Sequence, residues 1–391
     1  MSVSKKISES MKNQSWIREM FELGNLLKQE YGEKNVFDLS LGNPGPEPSK
    51  EFIESIQFIL SNPTPGMHKY MSNAGYLATR EAVANNISEV FKIKFSSENI
   101  IMTCGAGGAL NIILKSILDP HDEIIIFAPY FPEYLHYVEN HGGIPKIITT
   151  SDSFLPDTEI LKNAITAKTK GIIINSPNNP TGIVYPQSNI DDIGATLRDA
   201  EEKFGSTIHL ISDEPYARIV YKPNKNPSIF SAYKNSILAT SFSKDLSLAG
   251  ERIGYVAIHP SHSTSNELTN ALTFSNRILG FVNAPALMQN LIPKIINSVI
   301  DINWYENKRN YLRDNLIKLG YEFANPEGAF FIFVKSPNPN DVEFIKSLLE
   351  YKVLVTPGSG FGKQGYFRIS YSVEDWVLEG AVNGLAKVIN R

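Results

Sequence analysis

Apolar positions recur at helical spacing over Trp16–Tyr31 (WIREMFELGNLLKQEY), which predicts a helix ending at Gly32, where a glycine accepts positive φ. Before it, residues 1–15 are polar, rich in Ser and Lys, and read as a loosely held arm. Val36–Leu41 follows as a short strand, closed by Gly42-Asn43-Pro44-Gly45-Pro46, which no regular element accommodates. Tyr76–Phe91 is again helical.

Beyond it come apolar runs of strand length at Ile100–Thr103, Glu123–Phe127, Ile144–Thr149, Gly171–Asn175, Ile208–Ser212, Ile237–Thr240 and Ile253–Ile258. Helical stretches such as Ala106–Leu118 and Asn189–Phe204 separate several of them. Continuous apolar strands alternating with helices indicate a mostly parallel sheet covered on both faces, an α/β architecture. The tail changes character: long helices over roughly 284–319, strands near 330–335, 352–356 and 366–371, then a closing helix from about 373. Joined to the first helix and strand, it reads as a smaller α+β domain. The expected division is an arm over 1–15, a small domain of 16–50 with 291–391, and a large domain over 51–290.

Composition narrows the function. A chain of 391 residues, 42% hydrophobic and 20% charged, buries a sizeable core without staples. The net charge of −4 offers no long-range attraction to nucleic acid or anionic membrane. Cys104 is the sole cysteine, which excludes an intrachain disulfide and a thiolate cluster. The seven histidines lack zinc-hydrolase spacing. Neither a secretory signal nor a membrane-length apolar run is visible, so the default compartment is the cytoplasm.

In a parallel sheet, ligands gather at the carboxyl ends of the strands, where this chain places its polar and glycine-rich segments. Thr103-Cys104-Gly105-Ala106-Gly107-Gly108-Ala109 joins a strand to a helix, a setting for phosphate on converging N–H groups and equally for a plain structural turn. Phe131, in Ala128-Pro129-Tyr130-Phe131-Pro132, is placed to stack on a flat ring or to close the core. Ser176-Pro177-Asn178-Asn179-Pro180-Thr181-Gly182 is an irregular loop offering amides. Asp213, in Asp213-Glu214-Pro215-Tyr216, is costly to bury without a cation such as a pyridinium N–H. Lys244, in Ser241-Phe242-Ser243-Lys244, is either a solvated loop lysine or an amine of lowered pKa suited to a Schiff base. Arg252 follows eight residues later.

In this order on successive strand–helix units, these segments are far more specific than any one alone. With Gly250-Glu251-Arg252-Ile253-Gly254 and Phe367-Arg368-Ile369-Ser370, they make the chain resemble the class I/II aminotransferases, the fold-type-I pyridoxal 5′-phosphate (PLP) enzymes, over nearly its whole length. The resemblance implies a seven-stranded large domain with a smaller one, PLP as cofactor, and transfer of an amino group between an L-amino acid and a 2-oxo acid. By the same resemblance, Lys244 would form the internal aldimine, Asp213 would pair with the ring nitrogen, and Asn179 and Tyr216 would bond O3′. Phe131 would stack on the ring, and the phosphate would sit among Gly105, Ala106, Gly107, Ser241, Ser243 and Arg252. Tyr70 would reach the phosphate of the neighbouring subunit, which implies a homodimer with shared sites. Arg368 would grip the substrate α-carboxylate, helped by Asn179 and Gly42. Glu251, and a phosphate loop without a hydroxyl side chain, depart from the common pattern.

A dicarboxylate substrate such as aspartate or glutamate needs a second cation, for which Arg277 and Arg18 are candidates. The same cradle also serves C–S β-lyases, decarboxylases and cyclopropane-forming synthases. A transcription regulator with an aminotransferase-like sensor would need a DNA-binding extension, and the N-terminal arm with one helix is too short for it. A non-catalytic relative would have no reason to keep Lys244, Asp213 and Arg368 together.

Overall fold

The computed structural model describes residues 2–12 and 16–389. Twelve strands appear in chain order. They are β1 (Phe37–Asp38), β2 (Ile100–Thr103), β3 (Glu123–Ala128), β4 (Ile144–Thr149), β5 (Thr169–Asn175), β6 (His209–Asp213), β7 (Ser236–Ser241), β8 (Gly254–Ile258), β9 (Phe331–Lys335), β10 (Val353–Leu354), β11 (Thr356–Pro357) and β12 (Tyr366–Ser370). Seven of them form one sheet in the order β2-β8-β7-β6-β5-β3-β4. The pairs from β7 through β4 are parallel, and β8 runs antiparallel to both β7 and β2. The sheet is therefore mostly parallel, as the alternation of apolar runs and helices predicts.

Its central strands are closed to water on both faces. Every residue of β6, β7 and β8 is buried, and helices pack on either side. Edge strand β4 differs, with Ile144 and Ile147 nearly half exposed, because a run at the sheet margin has only one neighbour. The remaining strands build a three-stranded antiparallel sheet, β11-β12-β9, and a two-residue parallel pair, β1 with β10. A second apolar cluster, from Met20 and Leu39 to Leu385, gathers around these elements.

Three expectations need correction. The strand foreseen over Val36–Leu41 shrinks to Phe37–Asp38. Leu39 N–H still bonds Leu354 O, but the carbonyls of Ser40 and Gly42 turn towards Arg368 and Lys244. The arm holds a helix over Lys5–Lys12, in which Ile7 and Met11 lie one turn apart and Lys6 Nζ bonds Glu139 O at 2.9 Å. Residues 13–15 lie outside those described. Helices Lys50–Ser61 and Ser265–Ile278 were not foreseen at all. Among the described residues, no helix is long and apolar enough to cross a membrane.

Candidate active site

The segments after β2, β3, β5, β6 and β7 leave the large sheet at carboxyl ends, and side chains from them converge on one cavity of about 280 Å³. Asp213 is the last residue of β6, and Ser241 the last of β7. Ser243 and Lys244 follow two and three residues after β7 ends. Asn179 comes from the loop after β5, Phe131 from the loop after β3, and Ala106 and Gly107 from the helix after β2. Arg368 arrives from β12 of the small sheet, and Gly42 from the segment after β1. Sheet order alone brings β5, β6 and β7 side by side, so Asn179, Asp213 and Lys244 need no long-range coincidence to meet.

At one end of the cavity, helix Gly105–Ile117 starts with no side-chain cap, so its first-turn N–H groups remain free for a ligand. Gly105 has φ +72°, and a Cβ there would come within 2.8 Å of Arg252 Nη2. Only glycine lets the guanidinium lie on that turn. Arg252 itself takes left-handed φ, 51°, and Nη1 donates to Ala249 O at 2.9 Å. Tyr137 lines the same end.

Asp213 occupies the opposite end. Tyr134 Oη donates to Oδ2 at 2.5 Å, while Oδ1 is buried without a partner. Burial pushes the carboxyl up to about 7, against the opposing hydrogen bond from Tyr134. Asn175 braces the strand end: Nδ2 donates to Asp213 O at 2.7 Å, and Oδ1 accepts Asn179 N–H at 2.7 Å. Between the two ends, Lys244 Nζ donates to Gly42 O at 2.7 Å. Burial, then the charges of Arg252 and Arg368, lower its amine to about 8.

Arg368 is fully buried, its guanidinium held over the rings of Phe331 and Phe361 at 4.6 and 4.9 Å. Nη1 donates to Asn179 Oδ1 at 2.9 Å and Nη2 to Ser40 O, leaving Nε without a partner. Tyr216 lies on the same wall, packed edge-on against Phe330 and Phe331.

Two orphaned polar atoms and an uncapped helix start are what a planar ligand with an anionic tail and a protonated ring nitrogen would satisfy. PLP fits these residues. Among the described residues no cluster of three or more side chains suits a metal ion.

Gly105 stands behind Arg252 rather than on the cavity wall, and Tyr70 is 91% exposed, away from this chain's own cavity. Arg277 lies exposed on helix Ser265–Ile278, and the side chain of Arg18 lies outside those described. Tyr134, Tyr137 and Asn175 were not among the residues expected here; the tyrosines' one signal was Tyr-x-x-Tyr at a helical interval after Phe131, and Asn175 showed only as the polar end of an apolar run.

Fold and site together define a fold-type-I PLP enzyme. The chain belongs to the aminotransferase class I and II family, whose model matches residues 34–385. It is 30% identical over 363 residues to an aspartate aminotransferase of Thermotoga maritima, covering 91% of this chain and 92% of that protein. It is 33% identical over 398 residues to a probable aspartate aminotransferase of Methanocaldococcus jannaschii, covering 98% and 99%. A crystal structure of an amino transferase from Eubacterium rectale superposes with a TM-score of 0.96 at 35% identity, covering 100% of this chain and 99% of that one.

Proposed function

We propose that this chain transfers an amino group between an L-amino acid and a 2-oxo acid, using PLP held at Lys244. The observation that carries the reading is the meeting of Lys244, Asp213 and Arg368 in one cavity, with an oxygen of Asp213 and a nitrogen of Arg368 left unpaired.

When bound, PLP supplies an aldehyde for the amino group and a ring that withdraws electrons from the substrate Cα. The chain's residues do the rest. The first-turn N–H groups at Ala106 and Gly107, with Ser241, Ser243 and Arg252, would hold the phosphate, with Gly105 giving the guanidinium room. Asp213 Oδ1 would accept the ring N–H and keep it protonated. Asn179 and Tyr216 would bond the phenolic oxygen, and Phe131 would cover one face. Arg368 Nε and an Nη group would bind the substrate α-carboxylate as a fork, orienting the Cα–H bond. Lys244, neutral above about pH 8, would take the substrate Cα proton as general base and return it as acid.

Homodimerisation belongs to the same proposal. The exposure of Tyr70 supports a role for it in a second copy's site. The names of the relatives favour aspartate as a substrate. Within one chain, however, the cations on the cavity wall are Lys244, Arg252 and Arg368, all three already engaged in the roles above. A distal carboxylate would depend on Arg277 of a second copy or on Arg18.

The test is a single-turnover reaction of PLP-loaded protein with a panel of L-amino acids. One equivalent of 2-oxo acid per bound cofactor, with no ammonia released, is expected. Continuous release of pyruvate and ammonia without an added oxo acid would instead establish a lyase.

A further inference from the structure

Glu133 plays no part in the reading above. It opens helix Glu133–Asn140, two residues after Phe131. Tyr134 and Tyr137 lie three residues apart there, and Glu133 and Tyr137 four apart, so the three share one helix face. That face is turned to the site, because Tyr134 bonds Asp213 and Tyr137 lines the cavity. Glu133 Oε2 is sealed from water and has no hydrogen-bond partner. Three groups on the cavity wall, Arg368, Tyr216 and Tyr137, feel its charge. Arg368 makes no hydrogen bond to it: its Nη groups donate to Asn179 and Ser40, and its Nε has no partner.

A buried carboxylate oxygen without a donor is costly for an ion that stays charged. Burial accordingly raises the pKa of Glu133, opposed first by its own backbone N–H, then by Arg368 and His136. A residue serving only to start the helix would not need this: a carboxylate there is as effective when solvated. The missing partner is therefore to be sought in the ligand. Glu133 itself stands just behind the cavity wall, but an amino acid whose α-carboxylate rests on Arg368 lies against a guanidinium that interacts with the Glu133 charge and beside Tyr137, which shares its helix face.

We propose that Glu133 is a specificity-determining residue that favours substrates whose side chain ends in a hydrogen-bond donor over those ending in a carboxylate. Resting on the aminotransferase reading, it names the substrate class for that site: glutamine-like or amine-ended donors rather than glutamate and aspartate. A side-chain donor that reaches past Tyr137 would satisfy Oε2, whereas a distal carboxylate would meet like charge behind that wall.

Glutamine and glutamate are nearly isosteric, so their unreactive analogues glutaramate and glutarate isolate the end group. Their dissociation constants are measured by calorimetry on PLP-loaded wild type, Glu133→Gln and Glu133→Asp, beside single-turnover rates with glutamine and glutamate. Glutaramate is expected to bind at least about tenfold tighter to wild type. The ratio should collapse towards one in Glu133→Gln, with a melting temperature no lower than wild type, and survive in part in Glu133→Asp. Equal binding in wild type, or a preference for glutarate, overturns the proposal even where single turnovers establish an aminotransferase. An unchanged ratio in Glu133→Gln with a weakened dimer also overturns it, placing the partner of Glu133 in a second copy. Absence of 2-oxo acid with every amino acid defeats the aminotransferase reading, while the ligand ratio is still read without turnover.

Discussion

The hydroxyl of Tyr134 donates to Oδ2 of Asp213, and the other carboxylate oxygen, Oδ1, is left buried and bare. One donor holds the carboxylate in place and stabilises its charge without occupying the oxygen that a cofactor N–H needs. Tyr134→Phe removes that bond and exposes no new surface. Asp213 then ionises less readily, so PLP binds more weakly and kcat falls, each by about tenfold or more, as for the loss of a hydrogen bond to a charged group. Titration of apo-protein with PLP and steady-state assays measure both. Unchanged PLP affinity and kcat would reduce Tyr134 to a packing residue.

Much of this arrangement was readable from residue order, for a physical reason. Strands buried on both faces are nearly uniform in apolar character, so β5, β6 and β7 stood out, and their polar ends marked the ligand side of the sheet. The helix face carrying Glu133, Tyr134 and Tyr137 was equally present in the sequence. A polar-aromatic helix face acquires meaning only when its neighbour is known, and here that neighbour is Asp213, seventy-nine positions on from Tyr134. Edge strand β4 misled in the opposite direction: its isoleucines read as a buried run, yet two face water. Tyr70 and Arg277 lie on exposed surface, where the fold of one chain gives no contact to interpret.

Lys244 should be an unusually reactive amine. Burial, with Arg252 and Arg368 adding to it, lowers its pKa to about 8, and only the neutral amine attacks an aldehyde. Covalent capture of added PLP by the apo-protein should therefore accelerate as pH rises through about 8 and level off above it. An ordinary lysine would still be gaining at pH 10. Borohydride reduction followed by peptide mass analysis reads the modified position. Lys244→Ala should lose both this modification and turnover; retention of either would move the chemistry to another residue.

Arg368→Lys tests whether the guanidinium fork, rather than its charge alone, matters. A lysine keeps a cation but cannot serve Asn179 Oδ1, Ser40 O and a ligand carboxylate together in one plane. It also loses the stacking on Phe331 and Phe361. We expect kcat/KM to drop by about 100-fold for every amino acid tried, the scale of a lost bidentate contact, with stability lower by about 1–3 kcal/mol. A uniform fall across substrates is the signature of α-carboxylate binding. A fall confined to substrates with acidic side chains would assign Arg368 to the distal group instead.

Asp213 also makes the stability of the apo-protein depend on pH, with a definite sign. Burial raises its carboxyl to about 7, whereas an unfolded aspartate titrates near 3.8. Below about pH 4 both states are protonated and the group is neutral in the balance. Between about 4 and 7 the folded state holds a proton that the unfolded state has released, so stability declines as pH rises through that window. Glu214, raised to about 7, and Asp245, raised to about 6, both chiefly by burial, act in the same direction. Asp213→Asn removes one of the three contributions without changing the side chain's shape. The melting temperature of its apo form, relative to wild type, should gain about 2 °C or more between pH 5 and pH 8. Loading wild type with PLP, whose ring N–H would satisfy Oδ1, should erase most of that difference. Parallel curves for the two apo-proteins would mean that Asp213 is already ionised at pH 5 and finds its counter-charge without the cofactor.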